Sequence, residues 1–236
     1  MIKEELNIVI VCGTRKSEND FYEKTATGKS LKSTSEITKN KIILYPENTK
    51  GLSEIYNDAI QITKNEESIL VFMHDDIWIT DFFYKARIQK ALEKFDIAGV
   101  VGCIARTKKQ PSWCHMYYNP ESQKFIQHNI SNLSGSIGHG KTYPEKIDYF
   151  GPTMKECNLV DGVIIAVKSK KLIETNTYFD NQFKFHFYDL DFCRTAERNK
   201  LKIGTMDVSI IHESYGGFQT EEWREAYNKY MSKWKE

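Results

Sequence analysis

Ser68-Ile-Leu-Val-Phe-Met-His-Asp-Asp-Ile-Trp78 carries five apolar residues, Ile69 to Met73, straight into His74, Asp75 and Asp76. An unbroken apolar run of this length suits a parallel strand covered on both faces, because alternation is needed only where one face meets water. Such a strand would release the three polar residues at its carboxyl end. In open α/β sheets that end is where ligands bind, so an imidazole and two carboxylates delivered there form a candidate site. The same cluster also suits a solvated turn in which Asp76 caps a helix near Asp81.

Upstream, Lys41 to Tyr45 reads as a short strand closed by Pro46-Glu47-Asn48. Leu52, Ile55, Tyr56, Ala59, Ile60 and Ile62 then recur at helical spacing, with Ser53 as N-cap. Strand, helix and strand together form a βαβ unit, which makes the sheet locally parallel. Leu6 to Cys12 is the first buried strand. It stops at Gly13-Thr-Arg-Lys-Ser17, a turn whose hydroxyl and cationic donors suit either one wall of a nucleotide pocket or a solvated connection. Ser17 to Asn40 is polar with little periodicity and reads as a loop or a short helix.

Downstream, Phe82 to Phe95 has the spacing of an amphipathic helix and Ile97 to Ala105 that of a further strand. From Arg106 to Met154 no period holds, and long irregular segments of this kind are usually binding loops, where Trp113 could stack on a sugar face. Leu159 to Val167 is a second buried run with Asp161 beside Gly162, and a carboxylate there needs a partner or a ligand. Asp189 and Asp191 head a helix, Leu190 to Asn199, where carboxylates favour the N-terminal dipole, so Asp189 suits a cap as well as a functional group. Ile203 to Met206 and Val208 to Ile211 read as closing strands that lead into His212. From Thr220, Trp223, Tyr227, Tyr230, Met231 and Trp234 share one helical face whose flanking charges cancel, which suits packing on the chain itself or on a second subunit.

With 236 residues and 40% hydrophobic content, the chain can bury one sizeable core unaided. Its 33 basic and 32 acidic residues leave no global field for nucleic acid or an anionic membrane. The five cysteines are scattered and never form Cys-x-x-Cys, which argues against a disulfide framework or a zinc site and favours a reducing compartment. No apolar stretch has the length of a signal peptide or a bilayer span, so the expected location is cytoplasmic.

Three segments taken in order carry a resemblance. They are Glu47-Asn48 through Asn57-Asp-Ala-Ile60 into Val71-Phe-Met-His-Asp-Asp76; Val160-Asp-Gly-Val163 with the basic turn Lys168 to Lys171; and Phe179-Asp180 through Tyr188-Asp189-Leu-Asp191 to His212. The set resembles the GT-A fold of family 2 glycosyltransferases, in particular the short bacterial branch that makes surface polysaccharides. The resemblance implies a single α/β domain over 1–236, Rossmann-like, with a mostly parallel central sheet flanked by helices. Within it, 1–105 would be the nucleotide-binding half, 106–219 the acceptor-binding half with an irregular loop at 106–154, and 220–236 a C-terminal helix.

It also implies a metal-dependent inverting transfer of a sugar from a nucleotide-sugar donor, a UDP-sugar, to a hydroxyl of a glycan or lipid-linked acceptor. Asp76 matches the last residue of the Asp-x-Asp motif that holds Mn²⁺ or Mg²⁺, His74 stands where the first Asp is usual, and His212 matches a further metal ligand. Asp189 matches the general base, with Tyr188 in place of the Glu that usually precedes it. Thr14, Arg15, Glu47, Asn57 and Asp75 fall at the donor, and Asp161, Asp191 and Trp113 at the acceptor or the transferred sugar. Asp-Gly-Ser after the second strand is missing. A homo-oligomer through the C-terminal helix and a peripheral place at the inner membrane face complete the expectation. Gly13-Thr-Arg15 also resembles sugar-phosphate nucleotidyltransferases, although Val11 and Cys12 stand where those enzymes have glycines. A non-catalytic carbohydrate-binding or scaffold protein on the same fold is the third reading, supported by His74 and Tyr188.

Overall fold

The computed structural model describes residues 7–38, 40–214 and 217–235. Met1 to Leu6, which include the first residue of the expected opening strand, lie outside the described residues. The first half holds β1 (Asn7–Gly13), α1 (Glu18–Lys24), α2 (Ala26–Thr38), β2 (Lys41–Tyr45), α3 (Leu52–Ile62), β3 (Ser68–Met73), β4 (Ile77–Ile79), α4 (Tyr84–Lys94), β5 (Ile97–Gly99) and β6 (Val101–Cys103). Then follow β7 (His115–Asn119), β8 (Lys124–Gln127), β9 (Leu133–His139), β10 (Lys146–Gly151), β11 (Glu156–Cys157), β12 (Leu159–Val160), β13 (Ile164–Lys168), α5 (Ser169–Glu174), α6 (Tyr188–Arg198), β14 (Ile203–Thr205), β15 (Ile210–His212) and α7 (Glu221–Trp234).

All six residues of β3 are buried, as its apolar run requires. It sits inside a seven-stranded sheet of order β11-β14-β5-β13-β3-β1-β2. Val71 is paired in parallel with Ile10 of β1 and antiparallel with Ala166 of β13. Because β13 opposes both β3 and β5, and β14 runs with β5, five strands point one way and only β13 and β11 run against them. The expected mostly parallel sheet is therefore present. Helices cover it: α3 packs on β1, α4 on β5 and β13, and α5 on β3 and β13. On α3, Leu52, Ile55, Tyr56, Ala59 and Ile60 are the buried stripe, each large side chain there contributing about 1.5–3 kcal/mol by leaving water.

A second sheet, of order β12-β6-β9-β15-β4 with β10 on the other edge of β9, accounts for segments that the sequence presents as single strands. Ile97 to Ala105 breaks at Val100, with β5 in the large sheet and β6 in the second. Leu159 to Val167 breaks at Asp161-Gly162, with β12 in the second sheet and β13 in the large one. The pairs β3/β4 and β14/β15 cross in the same way. These four chain segments, like those joining β10, β11 and β12, pass from one sheet to the other.

The polar stretch after Ser17 is two helices, the first capped by the Ser17 hydroxyl, which accepts the Asp20 N–H at 3.2 Å. Ser53 is not an N-cap. Gly51 occupies that position, and the Ser53 hydroxyl donates to the Phe183 carbonyl at 2.6 Å, tying α3 to the loop before α6. Phe82 and Phe83 precede α4 and are each 71% exposed, so the buried face of that helix is Tyr84, Ile88, Ala91 and Leu92. Residues 106–154 are irregular only in part: after a loop over 106–114 they form the β7/β8 hairpin and the β9/β10 pair. In the second pair β9 packs closely at a glycine. Gly135 has φ +98, and a Cβ there would lie 2.0 Å from the Val100 carbonyl oxygen.

Candidate active site

Two of these sheet-to-sheet passages and the end of one strand bring polar residues to one place. His74, Asp75 and Asp76 fill the passage from β3 to β4, Asp161 and Gly162 that from β12 to β13, and His212 ends β15, paired with Ile77 of β4. They line one cavity of about 260 Å³ together with Trp113, Tyr188 and Asp189. Thr27, on α2, anchors the acidic loop: its hydroxyl donates to the His74 carbonyl at 2.7 Å and accepts the Ile77 N–H at 3.1 Å, while its own N–H reaches the Asp75 carbonyl at 3.1 Å. Asp76 is therefore not a helix cap. The Asp76 carbonyl accepts the Glu213 N–H at 3.0 Å, which fastens the acidic loop to the exit of β15.

The Asp76 Oδ1 oxygen faces His212 Nε2 at 3.2 Å and His74 Nδ1 at 4.0 Å. Burial alone would raise the Asp76 carboxyl, but the hydrogen bond and charge of His212, with His74 behind them, hold it at about 2. His212 moves the other way: burial disfavours its charged form, and Asp76 outweighs that and raises it. His74 is lowered, chiefly by burial. Ligand atoms of His74, Asp76 and His212 all lie within 4.8 Å of one another. Asp76 Oδ1 is buried, and the His212 imidazole is its near polar contact. A buried carboxylate oxygen between two imidazoles fits a divalent cation.

Across the cavity, α6 begins at Phe187, whose φ of 65 is uncommon for an aromatic residue and marks backbone strain at a site. That turn aims Asp189 at Gly162, whose N–H donates to Asp189 Oδ2 at 2.9 Å. Burial, and then the charge of Asp161, push the Asp189 carboxyl up to about 7. Asp161 accepts the Val163 N–H at 2.8 Å and so is partly satisfied within its own turn. A carboxyl with this poise can take a proton near neutral pH.

The other expected residues divide. Thr14 is buried, and its hydroxyl donates to Asp75 Oδ2 at 2.6 Å, so these two meet. Arg15 and Glu47 are exposed on the loops beyond β1 and β2, and neither lines the cavity. Asn57 is not in the cavity: its amide holds both the N–H and the carbonyl of Phe179, at 2.9 and 2.8 Å, as a strut between α3 and the chain before α6. Asp191 is not there either. It is fully buried on the far side of α6, bound by Lys233 Nζ at 2.8 Å and by Trp234 Nε1 at 2.9 Å. The apolar face of α7, expected to meet the chain or a second subunit, is buried within the chain through Trp223, Tyr230 and Trp234. Sequence reasoning missed Ser112, Phe185, Phe218 and Trp223 of the lining. The aromatic alternation Phe183-Lys-Phe-His-Phe187 was the available signal, and it belongs to a loop.

A family model described as glycosyltransferase-like matches residues 8–234. The chain belongs to the glycosyltransferase-like family. No curated protein matches its sequence. Among solved structures, GalNAc-T7 with UDP, GalNAc and Mn²⁺ is similar at TM-score 0.51 and 9% identity, over 98% of this chain and 48% of that one. The catalytic domain of Drosophila β1,4-galactosyltransferase 7 in complex with xylobiose gives 0.49 and 11%, over 94% and 79%. A197 from STIV gives 0.47 and 10%, over 92% and 98%. This glycosyltransferase has the GT-A fold, and it spans about half the length of the GalNAc-T7 chain. Among its described residues no helix is long and apolar enough to cross a membrane. All five cysteines are free and buried.

Proposed function

We propose that this glycosyltransferase is metal-dependent and inverting, and moves a sugar from a UDP-sugar to a hydroxyl of a glycan or lipid-linked acceptor. One observation carries the reading. Among its described lining residues the cavity has four carboxylates, Asp75, Asp76, Asp161 and Asp189, and no lysine or arginine. A diphosphate entering such a cavity meets predominantly like charge unless a cation accompanies it. His74, Asp76 and His212 would hold that cation, and two imidazoles in the donor set favour Mn²⁺ over Mg²⁺. When bound, the ion would supply Lewis-acid neutralisation of the leaving diphosphate.

The remaining chemistry belongs to the chain. Asp189 Oδ takes the proton of the acceptor hydroxyl as the new C–O bond forms, and its carboxyl, raised to about 7, remains a competent base at neutral pH. Gly162 N–H orients that carboxylate through a hydrogen bond of 2.9 Å. One displacement with the base opposite the leaving group inverts the anomeric centre. Trp113, Phe218 and Trp223 line the cavity with apolar ring surface of the kind that stacks on sugar rings. The neighbour crystallised with UDP, GalNAc and Mn²⁺ supports the choice of donor and ion. A place in surface-polysaccharide synthesis rests on the likeness to the short bacterial branch.

The test is a panel of nucleotide sugars with Mn²⁺ and a simple glycoside acceptor, products being followed by NMR. The reading expects nucleoside diphosphate and a glycoside of inverted configuration. Pyrophosphate formed from a nucleoside triphosphate, or a product of retained configuration, would contradict it.

A further inference from the structure

Tyr188 sits between the two halves of the site. Its hydroxyl donates to the Gly162 carbonyl at 2.8 Å and lies 2.9 Å from His74 Nε2. A phenol has one hydrogen, and a carbonyl oxygen can only accept. With that hydrogen committed to Gly162, the Tyr188 oxygen offers His74 only lone pairs, so the proton between them belongs to His74 Nε2. In a neutral imidazole the other nitrogen is then bare. That nitrogen is Nδ1, the one facing Asp76 Oδ1 at 4.0 Å. Two acceptors therefore face each other with no proton between them, the arrangement in which a coordinating histidine is held by its outer partner.

The seat of the phenol is built for it. A Cβ on Gly162 would lie 2.3 Å from the Tyr188 hydroxyl and 2.9 Å from Asp189 Cβ, so only glycine leaves room for both residues. The Tyr188 ring is buried against Tyr56 and Phe179, with centroids 5.9 and 6.1 Å away. The same Gly162 uses its carbonyl for Tyr188 and its N–H for Asp189.

We propose that Tyr188 is a positioning residue that fixes His74 as the Nε2–H tautomer, leaving Nδ1 as the metal-binding atom, and links that ring through Gly162 to the base Asp189. The inference rests on the reading of His74, Asp76 and His212 as a metal site. It deepens that reading by stating which nitrogen of His74 binds and what orients it.

The test uses the full chain labelled with ¹⁵N-histidine, metal-free, together with titration by Mn²⁺ alone. Wild-type protein is expected to show His74 neutral and protonated on Nε2. Tyr188→Phe, which keeps the ring, is expected to lose that preference and bind Mn²⁺ about 10–100-fold more weakly, with unchanged circular dichroism. Aspartate has no tautomer to fix, so in a His74→Asp background Tyr188→Phe should leave Mn²⁺ affinity unchanged within about twofold. A wild-type His74 protonated on Nδ1, or a Tyr188→Phe protein that binds Mn²⁺ as tightly as wild type, would overturn the role of Tyr188 while leaving the metal site standing. Folded wild-type protein that binds no Mn²⁺ would instead overturn the metal reading and the inference with it.

Discussion

Asp189 meets two opposing demands at a single residue. Its carboxyl titrates at about 7 in the folded chain against an ordinary 3.8, raised first by burial and then by Asp161. The folded state therefore holds the proton more tightly than the unfolded chain does. Ionisation subtracts stability progressively as pH rises from 3.8 to about 7, and the full loss is present above that. Asp189→Asn should lower turnover by about 10²–10⁴-fold yet raise the melting temperature at pH 8, the gain vanishing near pH 3. Calorimetry at the two pH values with one turnover assay checks this; an unchanged turnover would remove Asp189 from the chemistry. The pH profile of kcat/KM should rise to a plateau through about 7, and Asp161→Asn should shift that rise to lower pH by removing a neighbouring negative charge.

At the scale of an element, α6 separates two carboxylates that the sequence presents as a pair. Residues two apart on a helix point to nearly opposite faces, so Asp189 reaches Gly162 and the cavity while Asp191 turns to α7. Reading both as site residues ignored that geometry, and the partner that claims Asp191, Lys233, is 42 positions away in the chain. Lys233 also holds Asp180 at 2.8 Å, and the guanidiniums of Arg194 and Arg198 lie over the Trp234 ring at 4.1 and 4.0 Å. Removing one side of a buried, hydrogen-bonded charge pair is costly. Asp191→Ala should lose about 3–5 kcal/mol in urea unfolding while leaving acceptor KM unchanged in the folded protein. A raised KM at full stability would return Asp191 to the acceptor site. Asn57 is the parallel case on α3, a polar side chain whose amide bridges the backbone of Phe179.

Over the whole molecule, the legible part was the part written in local pattern. The apolar run into His74-Asp75-Asp76, the βαβ unit around α3 and the isolated Asp161 each report their burial through neighbours in sequence. The passages between sheets do not. Val100 and Gly162 break runs that look continuous because both sides of each break are buried, in different sheets. The β7 to β10 segment stayed hidden because its strands bury no alternating face and its ties are long-range, such as the bond between the Ser134 and Thr205 hydroxyls, 2.6 Å apart. The two sheets share one cluster of buried residues. Far-ultraviolet dichroism and tryptophan fluorescence should accordingly give coincident urea transitions, and separated midpoints would divide the chain into independent units. The central claim is that the acidic cavity accepts a diphosphate only with a metal. Isothermal titration of UDP and of GDP, each with and without Mn²⁺, tests it most directly. UDP should bind only with Mn²⁺ present, and Asp76→Ala should abolish that binding. Binding of either nucleotide that is equally tight without metal, or a folded protein that binds neither, would contradict it.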